Sequence, residues 1–290
     1  MSRFIIPAAN LSEAWIGVLA AMNVEPGGTA TNVIVTVQDP TAPDVPEVRD
    51  VLDETLRSRS RQKVATVANT LFPSVFYADP GFDWSPALPQ PEVDALDAAA
   101  ARLYREYLEI LPSLCHDRAN RTGTYFSRMI SWPGKTGGGV NQLNDRIRYF
   151  RSALGNGQLT NNASDIAIAG DAETSPICAG IQEYAASDKR QRGFPCLVHI
   201  DLSAHHGALS LTAIYRHWHL VTRAYGNMVG LARLQAFLAQ QSGLTVGELV
   251  VLAGYANSER DTYGWKAGVT ALVDAARSAA GSGREPEVVA

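Results

Sequence analysis

The sequence predicts a mixed α/β (α+β) fold built as one domain over residues 1–280, followed by a short polar tail at 281–290. Three observations predict it: β-branched or alternating runs that read as strands, amphipathic runs that read as helices around them, and no internal repeat. The 290 residues are 46% hydrophobic and 19% charged, an ordinary globular composition that excludes wholesale disorder.

The elements follow in chain order. LSEAWIGVLAAM, from Leu11, has apolar residues at Leu11, Trp15, Val18 and Leu19 with Ser12 near its start, and predicts a short helix. EPGG is a turn, and TNVIVTVQ is β-branched and strand-like. A loop with three prolines leads to helical patterns around Val48–Leu56 and Val64–Phe72, and Ala78–Pro91, rich in proline and aromatic residues, is an ordered loop. Pro91–Leu111 has high helix propensity and an apolar stripe at Leu96, Leu103, Tyr107 and Leu111. A further helix runs from Gln142 to Leu154, and DIAIAG is a short strand. CLVHIDLS alternates, with Cys196, Val198, Ile200 and Leu202 on one face and Leu197, His199, Asp201 and Ser203 on the other. AHHG turns the chain, and ALSLTAIYRHWH returns as the second strand of an antiparallel hairpin. Asn227–Gln241 is an apolar helix stopped by Ser242-Gly243, GELVVLAG is a strand, and Thr262–Ala280 is the last helix.

Charge and composition narrow the function. A net charge of −4 provides no basic footprint for nucleic-acid binding, so no nucleic-acid partner is expected. No run of about 18 apolar residues exists, so no membrane partner is expected either. The opening MSRFIIPAANLSEAW has no long apolar region or small-residue cleavage site, which argues against secretion. Three cysteines without a CxxC (Cys115, Cys178 and Cys196) suit a reducing, cytoplasmic setting.

Three motifs carry candidate chemistry. WPGKTGGG resembles a phosphate loop at a glance, but the glycine that motif needs five residues before Gly134 is Met129, and a flexible loop is the better reading. Five of the six histidines lie between His199 and His219. His217 and His219 are two apart on a strand, and with His199 they suggest either a three-histidine metal site or a polar cleft face; no carboxylate has matching spacing, so no metal is expected. Cys196 opens a strand opposite Arg216, a cation that lowers a thiol pKa; a buried structural cysteine is the other reading.

The segment Pro195–Glu259 resembles the thymidylate synthase family, which includes the deoxycytidylate hydroxymethylases. The residues that carry the resemblance are Pro195-Cys196-Leu197, then Tyr215-Arg216-His217-Trp218-His219, then Asn227, a helix ending AQQSGLTVGELV, and a strand ending Asn257-Ser258-Glu259. A second block, Tyr125 through SWPGKTGGGVNQL, also fits without a gap, and GGTAT and VANTLFP fit more loosely. The resemblance implies a three-layer fold with a large mixed sheet, paired as a homodimer. It further implies that Cys196 adds to C6 of a pyrimidine nucleotide or nucleoside, so that C5 takes a one-carbon unit from 5,10-methylenetetrahydrofolate. Arg216 would hold the substrate's phosphate, Asn227 would present its amide to the O4/N3 edge, and Tyr125 would work near C5 in proton removal.

Departures from the family pattern matter as much. Asn69 stands at the catalytic glutamate position, Pro26 at the loop arginine, and Ser164-Asp165 at the paired arginines. His219 replaces the aspartate that binds the pterin, Leu111 and Leu114 fall at the tryptophans flanking the folate, and Asn257 and Glu259 replace the ribose-binding pair. With His217 among the changes, the phosphate clamp is largely absent unless Arg121, Arg128 or Arg223 rebuilds it from another direction. Three functions therefore stay open: a divergent pyrimidine C5 methyl- or hydroxymethyltransferase, the same cysteine-adduct chemistry without folate, and a noncatalytic nucleotide-binding sensor or partner subunit.

Overall fold

The computed structural model describes residues 4–117, 120, 123–132, 139–157, 159, 165–168 and 195–282. Its strands are β1 (Phe4–Ala8), β2 (Thr29–Val37), β3 (Asp165–Ala167), β4 (Leu197–His205), β5 (Ala208–Tyr215), β6 (Trp218–His219) and β7 (Thr245–Asn257). They form one mixed sheet in the order β1-β2-β7-β5-β4-β3, with β6 paired to the end of β7. The β1–β2, β5–β7 and β6–β7 pairs are parallel, and the β2–β7, β4–β5 and β3–β4 pairs are antiparallel.

Period-2 alternation gives this sheet two unlike faces. Val33, Val35 and Val37 of β2, Leu249, Val251 and Ala253 of β7, and Leu209, Leu211 and Ala213 of β5 are all buried inward. The helices α1 (Leu11–Val24) and α7 (Tyr225–Ser242) pack on that face. Nearly every residue of α7 is buried, because α3 (Val64–Asn69) and α6 (Gln142–Gly155) cover its far side. The helices α2 (Pro46–Ser58) and α8 (Trp265–Ser282) pack on each other, and α8 also packs on α1. Sheet, inner helices and outer helices make three layers. Gly226 and Gly230 set the α3–α7 approach: a Cβ on Gly226 would meet Val67 Cβ at 2.6 Å, and one on Gly230 would meet the Ala68 carbonyl at 2.7 Å.

On the other side of the sheet, among the described residues, lie half-buried and exposed side chains. Directly paired residues form an apolar row across four strands, Ile5–Ile34–Leu252–Ile214, ending beside His199.

Several elements differ from expectation. The first strand, β1, has no alternation over five residues and is stabilised by parallel pairing with β2, a tertiary effect. The short α5 (Tyr125–Ile130) is held by a capping box between Thr124 and Ser127. The long α4 (Gln90–Leu114) extends a few residues past its expected end. Strict alternation in β4 fails at its start: the register shifts between Leu197 and His199, so Leu197 is buried on the same side as Ile200. The returning strand is also broken. It leaves β4 after Tyr215, and Trp218-His219 pair instead with Ala256-Asn257 of β7.

Candidate active site

At the C-terminal end of β5 the sheet opens into a cleft of about 300 Å³. Its walls come from the segment before α3, from α5, from the entry to β4, from the β5–β6 break and from α7. Cys196, Tyr125, Tyr215, His217, His219 and Asn227 all line it, so the structure brings together six residues singled out in the sequence.

Cys196 is half-buried and free, one residue before β4. The Arg216 backbone N–H donates to its carbonyl at 2.8 Å, which fixes the two residues across the hairpin. Burial pushes the thiol pKa up, and the charges of Arg223 first and Arg216 second pull it down. Burial wins, so the resting group is the thiol, and its activation depends on those two cations.

Tyr125 begins α5, and its hydroxyl accepts the Leu197 N–H at 3.4 Å. Burial, with the neighbouring Cys196 adding to it, pushes the phenol up to about 12, so it remains a neutral donor and acceptor. Tyr215, the last residue of β5, has a buried hydroxyl without a hydrogen-bond partner among the described residues. Asn227 stands in the first turn of α7, and its Oδ1 accepts the Trp218 indole N–H at 3.3 Å.

His217 and His219 stack with ring centroids 4.2 Å apart, and His217 meets the Tyr255 ring edge-on at 4.8 Å. Burial lowers both imidazole pKa values; His219 is lowered further by Arg223, and His217 by His219. Glu259 Oε1 lies 3.7 Å from His219 Nδ1, yet this does not hold the ring charged. The carboxylate is occupied elsewhere, accepting the Val221 N–H at 3.0 Å, the Thr222 N–H at 2.8 Å and the Thr222 hydroxyl at 2.9 Å. Glu259 thus secures the one-turn π-helix Leu220–Ala224 that carries Arg223. Asn257 Oδ1 in turn accepts the Glu259 N–H at 2.7 Å. Both residues line a groove that joins the cleft through Gln62, His219 and Arg223.

Two expected site residues stand apart. Asn69 is exposed on α3 and does not line the cleft; its Oδ1 faces Arg233 Nη1 at 3.4 Å, and its neighbour Thr70 takes the cleft position. The Arg216 side chain is exposed and is absent from the cleft wall, so it acts on Cys196 by charge. Arg128 and Arg223 line the cleft instead. Arg128 is buried, with Nη1 donating to the Ile168 carbonyl at 2.9 Å. Arg223 is half-buried, with Nη1 donating to Gln62 Oε1 at 2.6 Å. Gln62 gave no sequence signal. Arg223 gave one, standing four residues before Asn227, about one helical turn.

His199 sits beside Ile214 on the open side of the sheet, away from the stacked pair, and the described residues contain no cluster of three or more potential metal ligands. Trp132 and Val140 bridge the ends of the glycine-rich loop; residues 133–138, like Cys178, Arg121 and Ser164, lie outside the described residues. No helix among the described residues is long and apolar enough to cross a membrane. Compared with protein-family models and with curated proteins, the chain matches none.

Proposed function

We propose that this protein is a divergent thymidylate-synthase-like enzyme that moves a one-carbon unit, methyl or hydroxymethyl, to C5 of a pyrimidine nucleotide or nucleoside through a covalent adduct at Cys196. The observation that carries this reading is the meeting of Cys196, Tyr125 and Asn227 in one cleft, with Arg223 and Arg216 acting on the sulfur. In this reading the Cys196 thiolate adds to C6, and the displaced π electrons make C5 nucleophilic. Once C5 has formed its new bond, the C5 proton leaves with the Tyr125 hydroxyl as neighbour, and expulsion of the thiolate restores the double bond. Asn227 holds the ring by its amide. The open-face row Ile5–Ile34–Leu252–Ile214 supports a homodimer, since an apolar stripe of this kind needs a partner. A free Cys196 that must stay reduced supports a cytoplasmic setting.

Methylenetetrahydrofolate is the donor that the resemblance implies; bound, it would supply a carbon at the formaldehyde level, which with water gives hydroxymethyl, and for a methyl product it would also supply the hydride that reduces that carbon. The residues present do not fit it well. Leu111 is 1% exposed within the core, neither it nor Leu114 lines the cleft, and the stacked His217–His219 pair stands at the expected pterin contact. This favours a second reading, the same Cys196 adduct chemistry without folate.

Intact-protein mass spectrometry with 5-fluorinated pyrimidine nucleosides and nucleotides, each with methylenetetrahydrofolate present, tests both. An adduct lost in Cys196→Ser supports cysteine addition. A mass that includes methylenetetrahydrofolate selects the first reading, and an adduct of the pyrimidine alone selects the second. No adduct with any of these ligands overturns the proposal and leaves a noncatalytic nucleotide-binding role.

A further inference from the structure

We propose that the end of the cleft where Arg223 meets the stacked His217–His219 pair is an anion-binding subsite that takes a phosphoryl or carboxylate group. The resemblance puts a phosphate on Arg216, but that side chain is exposed and outside the cleft wall. Arg223 is the better placed cation. It is half-buried, faces both the cleft and the adjoining groove, and gives one donor to Gln62. A guanidinium carries five N–H donors, and holding one away from water without an opposing charge is costly. Among the described residues no carboxylate lies within 4.0 Å of it. Glu259, in the same groove, feels Arg223 by charge but forms no ion pair with it, its oxygens being taken by Val221 and Thr222. The remaining opposing charge comes in with the ligand.

The histidines complete the site. His217 Nε2 and His219 Nδ1 are buried without hydrogen-bond partners among the described residues. The charged or titratable groups that share the cleft and groove with them are Arg223 from the π-helix, Glu259 and Asp261 after β7, Tyr255 of β7, Tyr215 of β5, Tyr125 and Arg128 of α5, Arg61 after α2, and Cys196 before β4. Burial first and Arg223 second hold His219 neutral; an anion on Arg223 offsets that second cause and itself attracts a proton to the ring, so proton uptake accompanies binding. Rings 4.2 Å apart do not both become charged readily, so the uptake stays near one. This subsite is argued from Arg223 and does not depend on whether Cys196 forms an adduct.

Isothermal titration of the full chain with inorganic phosphate and with malonate, each in two buffers of different protonation enthalpy, tests it. Saturable binding is expected, weakened about tenfold or more in Arg223→Gln and unchanged in Arg105→Gln on the exposed face of α4. Tighter phosphate than malonate assigns a phosphoryl ligand, and the reverse assigns a carboxylate. Should Arg223→Gln fail to fold by circular dichroism, Arg223→Lys is read in its place, with weaker but measurable binding expected from the lost fork. The proposal is overturned if neither anion binds, if Arg223 variants bind like the parent, or if Arg216→Gln loses binding that Arg223→Gln keeps. Binding without proton uptake overturns the histidines' part in it. Because no pyrimidine is present, failure here is distinct from failure to form the Cys196 adduct.

Discussion

The Trp218 indole N–H donates to Asn227 Oδ1 across 3.3 Å inside the cleft that Cys196 lines. An indole N–H is a donor only, so it must face the carboxamide oxygen, and the Asn227 NH₂ is left as the group offered to a ligand. Such a site prefers a ring carbonyl to a ring amino group. We expect uridine or deoxyuridylate to bind more tightly than deoxycytidylate, and Asn227→Asp, which keeps the acceptor for Trp218 but loses both donors, to reverse the order. The change should be about 1–3 kcal/mol for a lost or mismatched buried donor. Calorimetric titration of the three ligands checks this; an unchanged ranking in Asn227→Asp removes Asn227 from the ring-binding role.

A second prediction concerns the Cys196 thiol. Burial raises its pKa and Arg223 and Arg216 lower it, in that order of size. Removing either cation should move thiolate formation to higher pH, Arg223→Gln more than Arg216→Gln. At pH 7, iodoacetamide alkylation of Cys196 should slow by about three- to tenfold in Arg223→Gln, because less of the thiol is ionised without that cation. Alkylation rates against pH, read by peptide mass mapping, decide it. Equal profiles in parent and both variants would mean that the cations are too far away to matter.

The sequence carried the sheet better than the site. The β4–β5 hairpin and the α7 helix were legible because alternation and a long apolar run each state their own geometry. The row Ile5–Ile34–Leu252–Ile214 was not, since it depends on parallel and antiparallel pairing between strands remote in sequence. Cys196, Tyr125 and Asn227, grouped in the sequence only through the family resemblance, line one cleft. Asn69 does not join them, because α3 presents Thr70 to the cleft and Asn69 to solvent, and one residue is about 100° on a helix. Arg223 and Gln62 meet across 161 residues of chain, a pairing that no local pattern reports.

The histidine pair makes stability depend on pH. Both pKa values are lowered in the folded state from the ordinary 6.5, so the unfolded chain binds these protons more readily. Their contribution to stability is therefore complete above about pH 6.5 and is lost as pH falls through the lower folded values. We expect the melting temperature of the parent to fall on acidification from pH 7 to 5, and His217→Asn/His219→Asn to show a flatter profile. Thermal melts across that range check it; parallel profiles would show that other groups control the acid limb.

Assembly is tested at the open sheet face. Leu252 lies between Ile34 and Ile214 in the apolar row, at the centre of the strand order. If a second copy covers this row, Leu252→Glu buries an unpaired carboxylate at the interface and should convert a dimer to a monomer, with the fold kept because Leu252 is not part of the inner core. Light scattering coupled to size exclusion at micromolar concentration gives the answer. A parent that is already monomeric rejects this assembly.

The final prediction concerns the helix crossing beneath the cleft. Gly226 precedes Asn227 in α7, and a Cβ there would stand 2.6 Å from Val67 Cβ and 2.8 Å from the Val64 carbonyl. Helix propensity alone favours alanine over glycine by about 1 kcal/mol. The clash opposes it, because the carbonyl belongs to the α3 backbone and cannot move without displacing Val67, which lines the cleft. Forced repacking of this kind costs about 1–3 kcal/mol, so Gly226→Ala should lower the melting temperature despite its better propensity, and should weaken ligand binding by moving Val67 and Asn227 apart. Gly281→Ala, in α8 with open space around its Cβ position, is the control and should be neutral or slightly stabilising. A Gly226→Ala protein as stable as the parent would show that α3 is free to retreat, and would remove the close crossing as the feature that fixes the cleft wall.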